Sequence, residues 1–237
     1  SHEKEILGTG GGIKRALPLL GHTPFVVLNG DSLFAPDLHQ ALEFHNRHDS
    51  PATLLVREDP KSDEYGVVGL DHAGQIRRLV WAGNEALVAK NTMFTGVHIL
   101  DPSIGSQLPD NGCIVRKTYI PLLEEGHALI GMPTANPFFD LGTPERLLDA
   151  NIALVTGRVA MAGMPKVKDG VYLGTNVSLG ENCRLGPGTV IGDYATSAPN
   201  ISMERALVFA GAHVHSNERD VIVTGEGSVI RCTATPT

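Results

Sequence analysis

Four hexads in a row near the C-terminus share one pattern: Leu173-Gly174, Leu179-Gly180, Leu185-Gly186 and Ile191-Gly192, each six residues after the last. Val177, Cys183, Thr189 and Ala195 fill a second position, four residues after each aliphatic. A fixed short period of this kind marks a parallel β-helix, where one hexad builds one strand-and-corner face. The aliphatic points into the coil, and glycine stands where a side chain would crowd the bend. The pattern constrains architecture far more than chemistry, because the same coil can catalyse, assemble subunits or cap a domain.

A chain of 237 residues suits one or two domains with a substantial core. Its formal net charge of −7 argues against a nucleic-acid polymer or an anionic membrane as partner, while a phosphate-bearing small molecule stays compatible. Cys113, Cys183 and Cys232 show no paired or metal-like spacing and read as reduced packing residues of a cytoplasmic protein. The opening Ser1-His2-Glu3-Lys4-Glu5 is polar, unlike a signal peptide, and no apolar run nears the ~20 residues that cross a bilayer. His39, His45 and His48 fall on one expected helix and read as a solvated face rather than a metal site.

Upstream of the hexads, strand-like and helix-like segments alternate, which predicts an α/β domain around a mostly parallel sheet over 1–158 and the coil over 159–237. The apolar run Phe25-Val26-Val27-Leu28 suits a strand covered on both faces. Asp71-His72-Ala73-Gly74 predicts a hairpin turn, and Tyr119 to Glu125 a short helix. Thr143-Pro144-Glu145 predicts a capped helix to about Val155, and 157–168 a linker. Beyond Tyr194 the rhythm loosens, which predicts irregular coils with a protruding loop over 197–204.

Leu7-Gly8-Thr9-Gly10-Gly11-Gly12-Ile13 precedes an amphipathic stretch, so its backbone can lie against a flat or anionic ligand, or simply turn tightly. Asp31 directly follows a buried strand, where open α/β sheets place ligands; a turn-forming Asp after Asn29-Gly30 is the bland alternative. Asp140 repeats the arrangement at Phe139-Asp140-Leu141-Gly142. Two carboxylates at strand ends are suited to one Mg²⁺ shared with substrate phosphates.

Those two segments, with Glu64-Tyr65-Gly66-Val67, Phe94-Thr95-Gly96-Val97-His98 and Leu141-Gly142-Thr143-Pro144-Glu145, come in the order seen in nucleoside-diphosphate-sugar pyrophosphorylases. The chain resembles their mannose-1-phosphate guanylyltransferase branch, whose members join a Rossmann-like domain to a left-handed parallel β-helix. The resemblance implies that Leu7, Gly8, Thr9, Gly10, Gly11, Gly12, Asn29 and Gly30 hold the nucleotide. It puts Tyr65, Gly66, Thr95 and Gly96 at the sugar, and Asp31 and Asp140 on Mg²⁺ as the catalytic pair. Substrates would be a nucleoside triphosphate, GTP, and a sugar-1-phosphate, mannose-1-phosphate.

Two departures stand out. The Gly-x-Gly-Thr-Arg loop with its following Lys-Pro pair, which grips the triphosphate in such proteins, does not occur in this sequence. It is expected in an upstream segment outside this chain or cleaved and retained beside it; a truncated, inactive product is the other reading. The Glu-Lys-Pro segment after the hairpin is also missing, leaving Lys90 as the nearby cation, equally readable as a solvated loop lysine. Two other functions stay open: a non-catalytic sugar-nucleotide-binding or regulatory subunit, and a hexapeptide-type acyltransferase with His213 or His215 as base. Self-association to a homo-oligomer through the coil's flat faces and open ends is expected.

Overall fold

The computed structural model describes residues 1–60, 62 and 66–233. The chain runs α1 (Gly8–Leu20), β1 (Phe25–Leu28), β2 (Ser32–Phe34), α2 (Leu38–Asn46), β3 (Ala52–Arg57), β4 (Val67–Leu70), β5 (Ile76–Leu79), β6 (Ala82–Gly83) and β7 (Lys90–Leu100). A π-helical turn, Val115–Tyr119, leads into α3 (Ile120–Glu124), β8 (Ile130–Pro133), β9 (Phe138–Asp140) and α4 (Pro144–Val155). The coil follows as β10 (Val171–Leu173), β11 (Arg184–Leu185), β12 (Thr189–Ile191), β13 (Thr196–Ser197), β14 (Ser202–Val208), β15 (His213–Val214), β16 (Glu218–Val223) and β17 (Val229–Arg231). Contacts divide this into two compact units, residues 1–30 with 36–136, and residues 31–35 with 137–237.

The first unit is built on one sheet of order β6-β5-β4-β7-β3-β8, with β1 also paired to β7. The α/β class holds, with strands of mixed direction. β3 and β8 run parallel, whereas β1, β3 and β4 all meet β7 antiparallel. Apolar runs such as Phe25–Leu28 report cover on both faces, not direction; β1, β3, β4, β6 and β8 share one direction, as expected, with β5 and β7 running against them. β4 and β5 form the expected hairpin: the Asp71 carboxylate accepts from Ala73 and Gln75 N–H, and Gly74 takes φ 81°. Leu54, Val68, Leu79, Leu100, Tyr119 and Leu129 are among the core residues.

The second unit is a parallel β-solenoid. Val171 pairs with Thr189, Ser178 with Thr196 and Arg184 with Ser202, an advance of three hexads per coil. Positive φ recurs at each corner, at Gly170, Asn176, Asn182, Gly188, Tyr194 and Asn200, six residues apart. Glycine and asparagine adopt that conformation at least cost. The Leu-Gly glycines do something else: they let the next coil stack. A Cβ on Gly180 would lie 2.4 Å from the Pro199 nitrogen, and one on Gly192 2.5 Å from that of Ala210. Ile191, Ala195, Met203, Val208 and Val221 fill the interior. Buried Thr189 is satisfied by donating to the Gly186 carbonyl at 2.7 Å.

The expected loop over 197–204 is instead part of the coil. Asn200 turns the corner with φ 60°, and Ser202 starts β14 in register with Arg184. What loosens is the advance, since Val190 meets Leu207 and Ala206 meets Val221 in progressively shorter coils. α4 covers the outer face of this sheet, packing Leu148 and Ile152 on Leu207 and Ile222. Thr143 caps it as expected, its hydroxyl accepting from Arg146 N–H at 3.3 Å, with Pro144 in the first turn.

Candidate functional site

The pairing of β2 with β9 puts Asp31, in the turn just before β2, next to the end of the short ladder that holds Asp140. Ser32 lies opposite Asp140, Leu33 opposite Phe139 and Phe34 opposite Phe138. The Phe34 and Phe138 rings meet edge-on at 5.9 Å, and the Leu141 N–H donates to the Asp31 carbonyl at 2.9 Å. In a regular ladder successive side chains alternate faces. Asp31 stands in the turn just before β2, so its direction is set by that turn rather than by the pleat.

The two carboxylates differ in their surroundings. Asp31 is exposed, and its carboxylate makes no hydrogen bond or ion pair among the described residues. Asp140 is held on both oxygens: Gly142 N–H donates to Oδ1 at 2.7 Å, and the Arg146 guanidinium pairs with Oδ2. Arg146 stands in the first turn of α4, where the helix dipole disfavours a cation. A carboxylate partner offsets that cost. As a donor set, two hard carboxylates match a Mg²⁺ site completed by water and phosphate oxygens. Arg146 is the group an ion at Asp140 would compete with. Among the described residues, no three His, Cys, Asp or Glu side chains gather as a metal cage.

In the first unit, the glycine segment is the start of α1 itself rather than a loop before it. It is clamped by residues 109–114. Gly10 N–H donates to the Gly112 carbonyl at 2.8 Å, Gly112 N–H to the Leu7 carbonyl at 2.7 Å, and Ile114 N–H to the Thr9 hydroxyl at 3.0 Å. A Cβ on Gly10 would fall 2.7 Å from Pro109, and one on Gly11 2.5 Å from the Asp110 carbonyl oxygen. These glycines therefore admit another piece of backbone, and Gly10 N–H is already engaged there. Gly8 has φ 70°, and a Cβ on Gly12 would meet the Glu3 carboxylate.

Asn29 and Gly96 come together as well: Asn29 N–H donates to the Gly96 carbonyl at 3.0 Å, and a Cβ on Gly96 would lie 2.8 Å from the Asn29 amide. Gly30 follows in the turn. Thr95 is buried and its hydroxyl donates to the Leu55 carbonyl at 2.8 Å, which leaves only its backbone for a ligand. Tyr65 lies outside the described residues; Gly66, with φ 93°, sits against Val80. Lys90 is paired with Glu58 at 2.5 Å. His213 bonds the Thr196 hydroxyl at 2.7 Å and packs against the His215 ring at a tilt of 59°. His45, expected on a solvated face, is buried and bonded to Thr53 at 2.9 Å, because α2 lays that residue on β3.

Two contributors went unread in the sequence. An arginine in a first helical turn six residues after a carboxylate is a legible signal for Arg146. Pro109-Asp110-Asn111-Gly112 signals a turn, but nothing local says that it closes on α1.

A family model described as nucleotidyl transferase matches residues 1–156. The chain belongs to the nucleotidyl transferase family. It is 27% identical over 224 residues to the probable mannose-1-phosphate guanylyltransferase 2 of Arabidopsis thaliana, covering 90% of this chain and 61% of that protein. It is 27% identical over 219 residues to the mannose-1-phosphate guanylyltransferase of Mycobacterium tuberculosis, covering 90% and 60%. The crystal structure of HddC from Yersinia pseudotuberculosis superposes with a TM-score of 0.50 at 26% identity, covering 62% of this chain and 63% of that one. The chain thus spans about 61% of the length of the first of these relatives. Among the described residues no helix is long and apolar enough to cross a membrane.

Proposed function

We propose that the protein transfers a nucleotidyl group from a nucleoside triphosphate, GTP, to a sugar-1-phosphate, mannose-1-phosphate, with Mg²⁺. The observation that supports this reading is the β2–β9 ladder, which brings the backbone of two acidic residues far apart in the chain close together. The substrates rest on the relatives' names. A phosphate oxygen of the sugar-1-phosphate bonds to the α-phosphorus, and the bond to the bridging oxygen breaks. Pyrophosphate leaves with that electron pair. The attacking oxygen is already ionised, so no protein base is required, and catalysis is in-line positioning with charge neutralisation. Asp31 and Asp140 are the residues that would hold Mg²⁺, which would supply part of that neutralisation. Arg146 is the cation paired with Asp140. Leu7 to Gly12, Asn29 and Gly30 are assigned to the nucleotide, and Tyr65, Gly66, Thr95 and Gly96 to the sugar.

A second reading, a subunit that binds a sugar nucleotide without turnover, is favoured by one feature. Both Asp140 oxygens are engaged, and Gly10 N–H is bonded within the protein. Pyrophosphate release with Mg²⁺, the four nucleoside triphosphates and a panel of sugar-1-phosphates separates the readings. The proposal expects release with one pairing, lost in Asp31→Asn and Asp140→Asn. Saturable nucleotide-sugar binding with no release in any pairing supports the second reading.

A further inference from the structure

A cavity of about 480 Å³ opens in the first unit, apart from every residue assigned above. It sits at the C-terminal end of α2, where the last backbone carbonyls concentrate partial negative charge. Asp49 and Asp101 line it, and among the described residues no lysine or arginine does. Three histidines, His45, His48 and His127, also line it, with Asn46, Ser50, Ser103 and Gln107. His45 is only 3% exposed and bonds the Thr53 hydroxyl through Nδ1 at 2.9 Å. Burial holds the pKa of His45 below its usual value, so this ring adds no positive charge at neutral pH.

The two carboxylates thus disfavour a phosphate and favour a cation. A metal ion fits poorly, because among the described residues no three of these ligand types converge on one point. Pro24, Pro51 and Leu122 add apolar lining beside the carboxylates and imidazoles. Carboxylates mixed with apolar lining suit a charge carried on a hydrocarbon chain, and the volume is that of a small-molecule site. We propose that this cavity binds a small organic cation, an ammonium or guanidinium group on a methylene chain.

Calorimetric titration of the full chain with spermidine, agmatine and MgCl₂, at matched ionic strength, tests this. The expected result is saturable one-to-one binding of at least one organic cation, with Mg²⁺ unable to displace it at equal concentration. The two organic probes distinguish an ammonium from a guanidinium preference. Asp49→Asn removes one charge at an exposed position. Asp101→Asn removes the other while keeping an oxygen for the Ser103 N–H that Asp101 caps at 2.8 Å. Each variant should weaken binding about tenfold. No saturable binding of either organic probe, unchanged affinity in both variants, or Mg²⁺ binding as tightly would overturn the assignment.

Discussion

Asp31 and Asp140 carry the chemistry proposed for this chain, yet they stand in unlike settings, one open to solvent and one tied to Gly142 and Arg146. Asp31→Asn therefore leaves stability within about 0.5 kcal/mol of the parent, since it breaks no observed contact. Asp140→Asn costs about 1–2 kcal/mol, because a charge-assisted pair and an N–H acceptor are weakened together. Chemical denaturation of the two variants checks the contrast. A second residue-scale expectation concerns His98, fully buried against Tyr119 with its pKa pushed down to about 3. The unfolded chain takes up a proton near pH 6.5 that the folded one refuses. This contribution is complete above pH 6.5 and is lost as pH falls toward 3, by up to about 1.4 kcal/mol per pH unit. Urea melts at pH 7 and pH 5 should show that loss, and His98→Gln should flatten it; an unchanged slope in the variant would show that other groups set the acid response.

At the scale of the element, the solenoid's glycines make the sharpest expectation. Gly180→Ala or Gly192→Ala places a methyl within 2.5 Å of backbone in the next coil, so each should cost about 2–3 kcal/mol, read as a lowered urea midpoint. Asn182→Ala, at a positive-φ corner, should cost about 1 kcal/mol. If the order reversed, coil stacking would not be what these glycines serve. The hexads make this element readable from sequence alone, because their period is set by the bend itself. The α4 cap at Thr143 and the Asp71 hairpin are legible for a related reason: each is a local hydrogen-bonding device. The β2–β9 pairing is not, since no short pattern says which distant strand Ser32 will meet. Nor is the clamp on α1, where the glycines announce close approach without naming Gly112 as the partner. Strand direction is hidden too, because two-sided burial of a strand such as β3 looks alike in either direction.

For the whole molecule, self-association through the solenoid is the expectation drawn from its edges. Among the described residues β10 has β12 as its strand partner and a single bridge to Lys168, and Leu173 at that end is half-exposed. Sedimentation velocity over a micromolar range should give a coefficient that rises with concentration; a constant monomer value would oppose assembly by this route. The family membership and the two-carboxylate ladder meet at one claim, that Asp31 and Asp140 together hold a divalent ion. Manganese titration of the full chain, followed by electron paramagnetic resonance, addresses it without depending on turnover. One bound Mn²⁺ is predicted, weakened about tenfold or more in both Asp31→Asn and Asp140→Asn and competed by Mg²⁺. Binding that persists undiminished in both variants would contradict the account.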